Sequence, residues 1–197
     1  MNAPRPDKLA VPLAPLLPRL ELDAAKQQVI EGAETASEAV RRLAAAEHLA
    51  EAARLCAHAL PKREAVWWAC MCARGAPDPA STEADRTALE AAEAWVRRPQ
   101  EEARRATMAA ANATSFQHAE PWAAMGAFWS GGSMAPEGQP AVPPAEHLTG
   151  VAVAGAVMIA SVRVKPQEAM ARLRRFIASA QDIATGGAGR IEPQAGG

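Results

Sequence analysis

The chain has 197 residues, a length that fits one domain with a sizeable core. Alanine fills 50 positions and tyrosine is absent, and because alanine is the best helix former, this composition favours an all-α fold of closely packed helices. The 21 basic and 22 acidic residues leave a formal net charge of -1, which argues against a protein that gathers nucleic acid or anionic lipid.

The first 21 residues are predicted to form a proline-rich N-terminal arm. Prolines at positions 4, 6, 12, 15 and 18 forbid a regular helix and favour an extended path on the surface. A disordered leader and a docking arm both fit this pattern, and Leu13, Leu16 and Leu17 could attach the arm to the domain. The prolines also argue against a signal peptide, and three cysteines, an odd number, suit a reducing compartment. We therefore expect a cytoplasmic protein.

A helical domain is predicted over residues 22–185. A short segment over 22–31 has helical character, and seven further helices follow from apolar periodicity and from the positions of Gly and Pro. These seven helices are predicted over 38–60, 62–74, 83–98, 100–113, 121–129, 149–162 and 166–184. The pattern indicates a single irregular bundle of short helices in antiparallel hairpins.

Two segments of the domain have no helical periodicity. Residues 130–147 carry four prolines and three glycines, and an 18-residue connection of this kind is either functional or a strap laid over the helices. Residues 186–197 are glycine-rich and predict a flexible tail. The valines of 151–164 also leave open a strand in place of the helix there. The longest apolar run, 151–162, is too short to span a membrane.

The segment PKREAVWWACMCARG, residues 61–75, predicts the central helix of the core. Trp67 and Trp68 lie about 100° apart around a helix, so both are buried only if the helix is covered on two sides. Cys70 and Cys72 point in nearly opposite directions, so an intact helix cannot offer both thiols to one metal ion. We expect buried thiols, no metal and no cofactor. Trp95 and Trp122 are assigned to the same core.

A partner-binding surface is predicted at the charged start of this helix and along the strap. Lys62 and Arg63 are cations in a first turn, where the helix dipole favours anions, so an acidic group could meet them, with Glu64 as a local alternative. The strap opens with two glycines and two serines, which could form an anion nest but follow a helix instead of opening one. The candidate partner-binding residues are Lys62, Arg63, Glu64, Trp129, Ser130, Gly131, Gly132, Ser133 and His147.

No catalytic arrangement emerges from the sequence. The four histidines are scattered, and neither a nucleophile elbow nor a zinc-protease motif is present. The arginine-rich runs RRPQEEARR and RLRRF are predicted to be solvated faces, with Glu101 and Glu102 pairing with nearby arginines. These observations predict a protein that is not an enzyme.

The chain resembles an uncharacterised bacterial family through LPKREAVWWACMCA at 60–73, AAEAWVRRPQEEARRA at 91–106 and FWSGGSMAPEGQPAVPPAEHLTGVAVAGAV at 128–157. This family is similar to one found in gene clusters for contact-dependent (type VI) secretion, beside spike proteins and their adaptors. The resemblance implies an accessory role, as an adaptor or chaperone that holds an effector or a spike component before export.

Three functional hypotheses follow. The first is a cytoplasmic, non-enzymatic interaction protein that serves secretion and binds a protein partner, with no nucleic acid and no membrane involved. The second is a small-molecule binder or enzyme whose pocket is floored by Trp67, Trp68 and Trp129, with Arg63 and His147 as polar groups. The third is an architectural subunit that forms a homo-oligomer. The oligomeric state is left open.

Overall fold

The computed structural model describes residues 6–193. Within this range the prediction of an all-α fold is confirmed, because the chain forms nine α-helices, two short 3₁₀ helices and no strand. The 3₁₀ helices are Ala14–Arg19 and Pro166–Glu168. The α-helices are α1 (Ala24–Val29), α2 (Ala36–Ala45), α3 (Leu49–Ala59), α4 (Lys62–Gly75), α5 (Glu83–Arg97), α6 (Glu101–Asn112), α7 (Ala119–Phe128), α8 (Leu148–Val162) and α9 (Ala169–Ala184).

Helix α8 packs on its inner side against α3, α4 and α7. Its inner positions are fully buried alanines and valines, among them Ala152, Val153 and Ala156. A methyl group built on Gly126 of α7 would lie 3.2 Å from the Val153 side chain, so the glycine allows α7 to approach closely. Small residues on the facing helices leave room for the β-branched side chains, and the segment that could have been a strand is helical.

The N-terminal arm is part of the domain. Instead of an extended arm, residues 14–19 form a 3₁₀ helix, and Leu9, Leu13, Leu16 and Leu20 are buried in the core. Leu17 points outward and is 40% exposed. The arm is also tied to the start of α2, because Leu9 and Val11 accept hydrogen bonds from backbone N–H groups there. Residues 1–5 of the predicted arm lie outside the described residues.

The long helix predicted over 38–60 is two helices. The chain leaves α2 after Ala45 and starts α3 at Leu49, with Glu47 at φ 64° between them. This left-handed conformation is costly for a residue with a Cβ and ends a helix. The start is also earlier than predicted, because Thr35, not Ser37, accepts a hydrogen bond from the Glu38 N–H as the N-cap of α2.

Arginine side chains satisfy the carbonyl groups at the ends of neighbouring helices. Arg63 donates from Nε to the Val96 carbonyl oxygen at 2.6 Å, near the end of α5. Arg163 donates to the Ala73 carbonyl near the end of α4, also at 2.6 Å. The last carbonyls of a helix have no partner within it, and an unpaired buried carbonyl costs about 1–3 kcal/mol. The arginines therefore allow these helices to end inside the domain.

A buried ion pair joins the start of α7 to the segment after α8. Arg163 donates from Nη1 to Glu120 Oε1 at 2.8 Å, and the two side chains are only 4% and 6% exposed. Removing one partner of a buried pair of this kind costs about 3–5 kcal/mol, because the other charge stays buried.

The segment after α9 follows a fixed path over the bundle, where we predicted a flexible tail. Trp67 Nε1 donates to the Ala188 carbonyl at 2.9 Å, and Ser179 Oγ donates to the Gly189 carbonyl at 2.6 Å. Ile191 lies against Gly75, where a Cβ would come within 2.4 Å of its side chain. Residues 186–193 thus pack along α4 and α9, and residues 194–197 of the predicted tail lie outside the described residues.

Replacing Gly150 by alanine should lower the stability of the domain. A Cβ at Gly150 would lie 2.2 Å from Nδ1 of the His58 ring, so α3 and α8 would have to move apart or His58 would have to leave its position. Overpacking of this kind costs about 1–3 kcal/mol, and the loss should appear as a lower urea midpoint in chemical unfolding.

Gly155→Ala in the same helix is the matched control. Nothing lies within 4 Å of a Cβ at Gly155, so this change should be neutral or stabilise the domain by up to about 1 kcal/mol through helix propensity. Equal effects of the two alanines on the free energy of unfolding would contradict the close contact of α3 with α8.

Candidate functional site

The candidate residues at the start of the strap, residues 130–147, are used to hold it against the bundle. Lys62 Nζ donates to the Ser130 carbonyl at 3.0 Å. Two parts of the predicted partner-binding surface, Lys62 at the start of α4 and the start of the strap, are therefore in contact. Trp129 and Ser130 are half-buried, and Trp129 packs against the hydrophobic core.

Arg104 of α6 is the main anchor of the strap. Its guanidinium donates to the carbonyl oxygens of Phe128 at 2.5 Å and Ser133 at 2.8 Å, and it lies over the Phe128 ring. Glu101 pairs with the same guanidinium through both carboxylate oxygens, at 2.6 and 2.7 Å. Gly132, at φ 64°, has no room for a Cβ against this pair. The glycine turn, which was considered as an anion nest, therefore packs against the Arg104 and Glu101 side chains of the protein itself.

The outer part of the strap is a closed, exposed loop. Ser133 Oγ accepts hydrogen bonds from the N–H groups of Ala135 at 3.1 Å and Val142 at 3.0 Å, and the Met134 N–H donates to the Val142 carbonyl. Arg105 fixes the loop further by donating to the Ala135 carbonyl. Val142 is 49% exposed, and His147, at the end of the strap, is exposed as well.

Arg63 and Glu64 lie on another side of α4, so the structure divides the candidate surface in two. The Glu64 carboxylate pairs with Lys8 of the arm, and Arg63 and Glu64 border a cavity of about 400 Å³. We call it the Trp67 cavity. Its main lining residues are Lys8, Arg63, Glu64, Trp67, Val96 and Arg97.

The single tryptophan-floored pocket is not formed. Trp68 is fully buried, and its Nε1 donates to the Phe176 carbonyl at 2.7 Å. His147 lines a different, smaller cavity, beside Lys62 and His58. Two of the five residues predicted to form that pocket, Trp67 and Arg63, line the Trp67 cavity. Trp67, which was assigned to the core, is only partly buried.

The other residues assigned to the core are mostly buried. Cys70, Cys72 and Trp95 lie in the core, whereas Trp122 is half-buried and donates from Nε1 to the Phe116 carbonyl. Burial raises the pKa of both thiols above the ordinary value for cysteine, which opposes formation of a reactive thiolate. Within residues 6–193 no group of three or more His, Cys, Asp or Glu side chains is arranged to hold a metal ion.

The prediction of solvated arginine faces is wrong at two positions. Arg104 in RRPQEEARR and Arg172 in RLRRF are each 4% exposed. Sequence reasoning missed Arg104 because Glu101 and Glu102 suggested exposed ion pairs with the nearby arginines, and RLRRF was predicted to be a solvated face in the same way. The sequence did contain a signal, which is its preference for arginine over lysine. Only four of the 21 basic residues are lysines, and guanidinium groups suit buried carbonyl contacts better than ammonium groups do.

Sequence reasoning also missed the outward face of α8. Every residue of this face is apolar and at least partly exposed, and the whole helix contains no charged residue. Val151 and Val162, at its two ends, are 47% and 45% exposed. The positions follow helical spacing and so form one stripe. We define the outward face of α8 as Val151, Ala154, Gly155, Met158, Ile159 and Val162.

A groove of about 280 Å³ runs along the first half of this face. Ala154 and Gly155 lie between the larger side chains of Val151 and Met158, and nothing lies within 4 Å of a Cβ at Gly155. The polar residues beside the groove are Arg19, Glu21, Arg54 and His58. Two arginines and one glutamate line the groove, and Glu146 lies 4.0 Å from Arg19, so the groove has an apolar floor and an arginine-rich edge.

His58, at the edge of the groove, is held in its neutral form. Burial is the main cause, and the nearby Arg19, His147 and Arg54 add to it, so the pKa of His58 is lowered to about 4. Its Nδ1 is buried without a hydrogen-bond partner within the described chain. The imidazole therefore serves as a packing group against Gly150.

No single helix in the described part of the chain is long and apolar enough to cross a membrane. Helix α8 and the segment Pro166–Ala184 meet the test of length and composition only as a pair, with a bend of 114° between them.

Acidification should weaken the fold through His58. The unfolded chain binds a proton at His58 as the pH falls below about 6.5, and the folded chain does so only near pH 4. Because the ring is partly exposed to solvent, the free energy of unfolding should fall over this window by about 1–2 kcal/mol, less than the full shift would give. His58→Gln should remove much of this loss, as measured by urea unfolding at several pH values.

The matched control is His147→Gln, on the exposed end of the strap, which should keep most of the pH dependence of the wild-type protein. If His58→Gln and His147→Gln had the same dependence between these pH values, His58 would not be the group responsible.

Comparison with known proteins places the chain in a family but adds no function. Curated proteins and solved structures give no significant match. A family of unknown function, DUF6931, matches residues 39–184, a range that runs from α2 to the end of α9 and includes the strap and the outward face of α8. The chain belongs to the family DUF6931.

Proposed function

We propose that this protein is a non-enzymatic interaction protein of the bacterial cytoplasm, an adaptor or chaperone that binds an effector or spike component of a type VI secretion system. The observation that carries the binding role is the outward face of α8, an uncharged apolar stripe at the surface of the bundle. The resemblance of the KREAVWWA and FWSGGS motifs to a family found in secretion gene clusters supports the role in export.

The outward face of α8 is unusual for the surface of a monomer. A surface helix normally carries polar residues on its outer side, and contiguous exposed apolar patches mark interaction sites more often than solvent-facing surface. Val151 and Val162 each leave nearly half of their surface exposed. Burying such a valine fully against a partner would contribute about 1 kcal/mol.

The groove on this face fits an amphipathic helix with an acidic flank. Gly155 and Ala154 form a notch between Val151 and Met158, which a large apolar side chain of a partner helix can enter by ridge-and-groove packing. Arg19 and Arg54 along the edge complement acidic residues beside that apolar side chain. We therefore assign the groove to a helix of the exported partner.

The strap extends this surface. It ends at His147, one helical turn before Val151, and it presents Val142 and its neighbouring prolines to solvent. The residues that we first assigned to partner contact at its start, Ser130 to Ser133, hold the strap to α4 and α6. We propose that they position the exposed loop and that contact is made by the loop and by α8.

A charged residue on the outward face should abolish partner binding without unfolding the domain. We expect Val151→Glu to lose the partner that co-purifies with the wild-type protein from its native host, because the carboxylate would be buried against apolar side chains. Ala94→Glu, at an exposed alanine of α5, is the control and should retain it. Both variants should unfold cooperatively within a few degrees of the wild type, as measured by circular dichroism.

Identifying the molecule that binds to the groove of α8 tests the proposal. A photo-crosslinking residue at Met158 should attach to an amphipathic, acidic helix of one exported protein, identified by mass spectrometry. Crosslinking to a second copy of this chain, with a stable homo-oligomer in light scattering, would support the architectural reading instead. Flotation with lipid vesicles that depends on Val151 would assign the face to a membrane, and a crosslinked partner that is never exported would overturn the role in secretion.

A further inference from the structure

We propose that the Trp67 cavity binds a small organic anion, a carboxylate carried on an aromatic or branched apolar group. This site lies at the ends of α5 and α9 and beside the start of α4, and the proposal does not depend on the partner-binding role of α8. The geometry that points to it is an indole and two arginines around one preformed cavity.

One wall of the cavity is apolar and fixed. The polar edge of Trp67 is already used, because Nε1 donates to the Ala188 carbonyl, and the ring is only partly buried. Val96 and Ile183 complete this wall as nearly buried side chains. A flat or branched apolar group would remove this surface from water, and aromatic rings are the usual partners of an indole.

The charges around the cavity leave an excess of positive charge. Lys8 and Glu64 pair with each other and largely cancel. Arg63 uses Nε on the Val96 carbonyl, and its two Nη groups donate to no acceptor within residues 6–193, so its guanidinium is oriented with donors to spare. A guanidinium matches the two oxygens of a carboxylate.

Arg97 supplies a second cation, and it is only weakly paired within the described chain. Its nearest carboxylate, that of Glu93, is 4.0 Å away and already receives two hydrogen bonds from Arg74, at 2.9 and 3.1 Å. A carboxylate in the Trp67 cavity would therefore meet Arg97 without displacing a strong ion pair of the protein.

The end of α9 disfavours an anion only weakly at this place, because its negative dipole end is exposed to solvent screening and its carbonyls are already hydrogen-bonded. Its last carbonyls are capped, because Gly186 and Gly187 donate to Ile183 and Asp182, and the backbone N–H of Lys8 donates to Ala184. The turn is held in place by the Asp182 carboxylate, which accepts a hydrogen bond from the Gly189 N–H at 2.8 Å. The wall is thus formed before a ligand arrives, which lowers the entropic cost of binding. The volume of about 400 Å³ falls in the lower part of the range for ligand pockets.

Calorimetric titration with N-acetyl-L-phenylalanine tests the site. Its free carboxylate and aromatic ring carry both proposed features, whereas its amide lacks the charge and inorganic phosphate lacks the ring. We expect saturable binding of the acid and at least about tenfold weaker binding of the amide and of phosphate. Equal affinity for the acid and the amide, or no saturable binding of the acid, would overturn the proposal.

Three variants assign the binding to this cavity. Arg97→Gln should weaken binding of the acid about three- to tenfold, whereas Arg86→Gln, an exposed arginine of the same helix, should not change it. Glu64→Gln should strengthen binding about three- to tenfold, because it removes the negative charge that neutralises Lys8. The site would be contradicted if Arg97→Gln bound the acid as tightly as the wild type does. It would also be contradicted if Glu64→Gln weakened binding of the acid in a protein that still unfolds cooperatively.

The carboxylate could come from a free small acid or from the C-terminus of a polypeptide. Two kinds of probe distinguish these sources. One is phenylacetate, a small acid, and the other is a tetrapeptide that ends in phenylalanine, with a free or an amidated C-terminus. Tighter binding of the free peptide than of phenylacetate supports a polypeptide terminus, and the reverse order supports a small acid. If the amidated peptide bound as well as the free one, the carboxylate would not be the recognised group.

Discussion

The structure depends on the pairing of arginine side chains with the carbonyl groups at helix ends. A bundle of many short helices contains many helix ends, and each end leaves carbonyl oxygens without an intrahelical partner. Arg63, Arg163 and Arg104 serve the ends of α5, α4 and α7, respectively, and Arg172 serves the end of α8. A planar guanidinium can reach several acceptors at once, as Arg104 does with two carbonyls and the Glu101 carboxylate.

Helix α8 is the other common element of the bundle. It has no charged residue and is covered on its inner side by α3, α4 and α7. Glycines at the contacts, Gly126 toward Val153 and Gly150 toward His58, bring the helix axes close. The same uncharged composition that suits the centre of a bundle leaves the outward face of α8 apolar, and this face supports the proposed binding role.

The helices themselves could be predicted from the sequence, because periodicity, prolines and glycines mark most of their limits. The buried Trp68 and the buried thiols of α4 also follow from that pattern. The break at Glu47 could not be predicted, since nothing local in AAAEHLAE distinguishes it from helix and the left-handed residue is imposed by the packing of α2 and α3. Of the two alternatives for the arm, docking agrees with the burial of Leu13 and Leu16, whereas the 3₁₀ helix over 14–19 could not be predicted from prolines that favour an extended path. The burial of Arg104 depends on a strap 29 residues further along the chain, which local patterns do not report.

The contact between Lys8 and Ala184 joins the two ends of the described fold. The backbone N–H of Lys8 donates to the Ala184 carbonyl at 3.0 Å, so the first packed segment meets the end of the last helix. A mechanical load applied to both ends of the described chain would pull first on the contacts of residues 186–193 with α4 and α9, and on this junction with the adjacent Lys8–Glu64 pair.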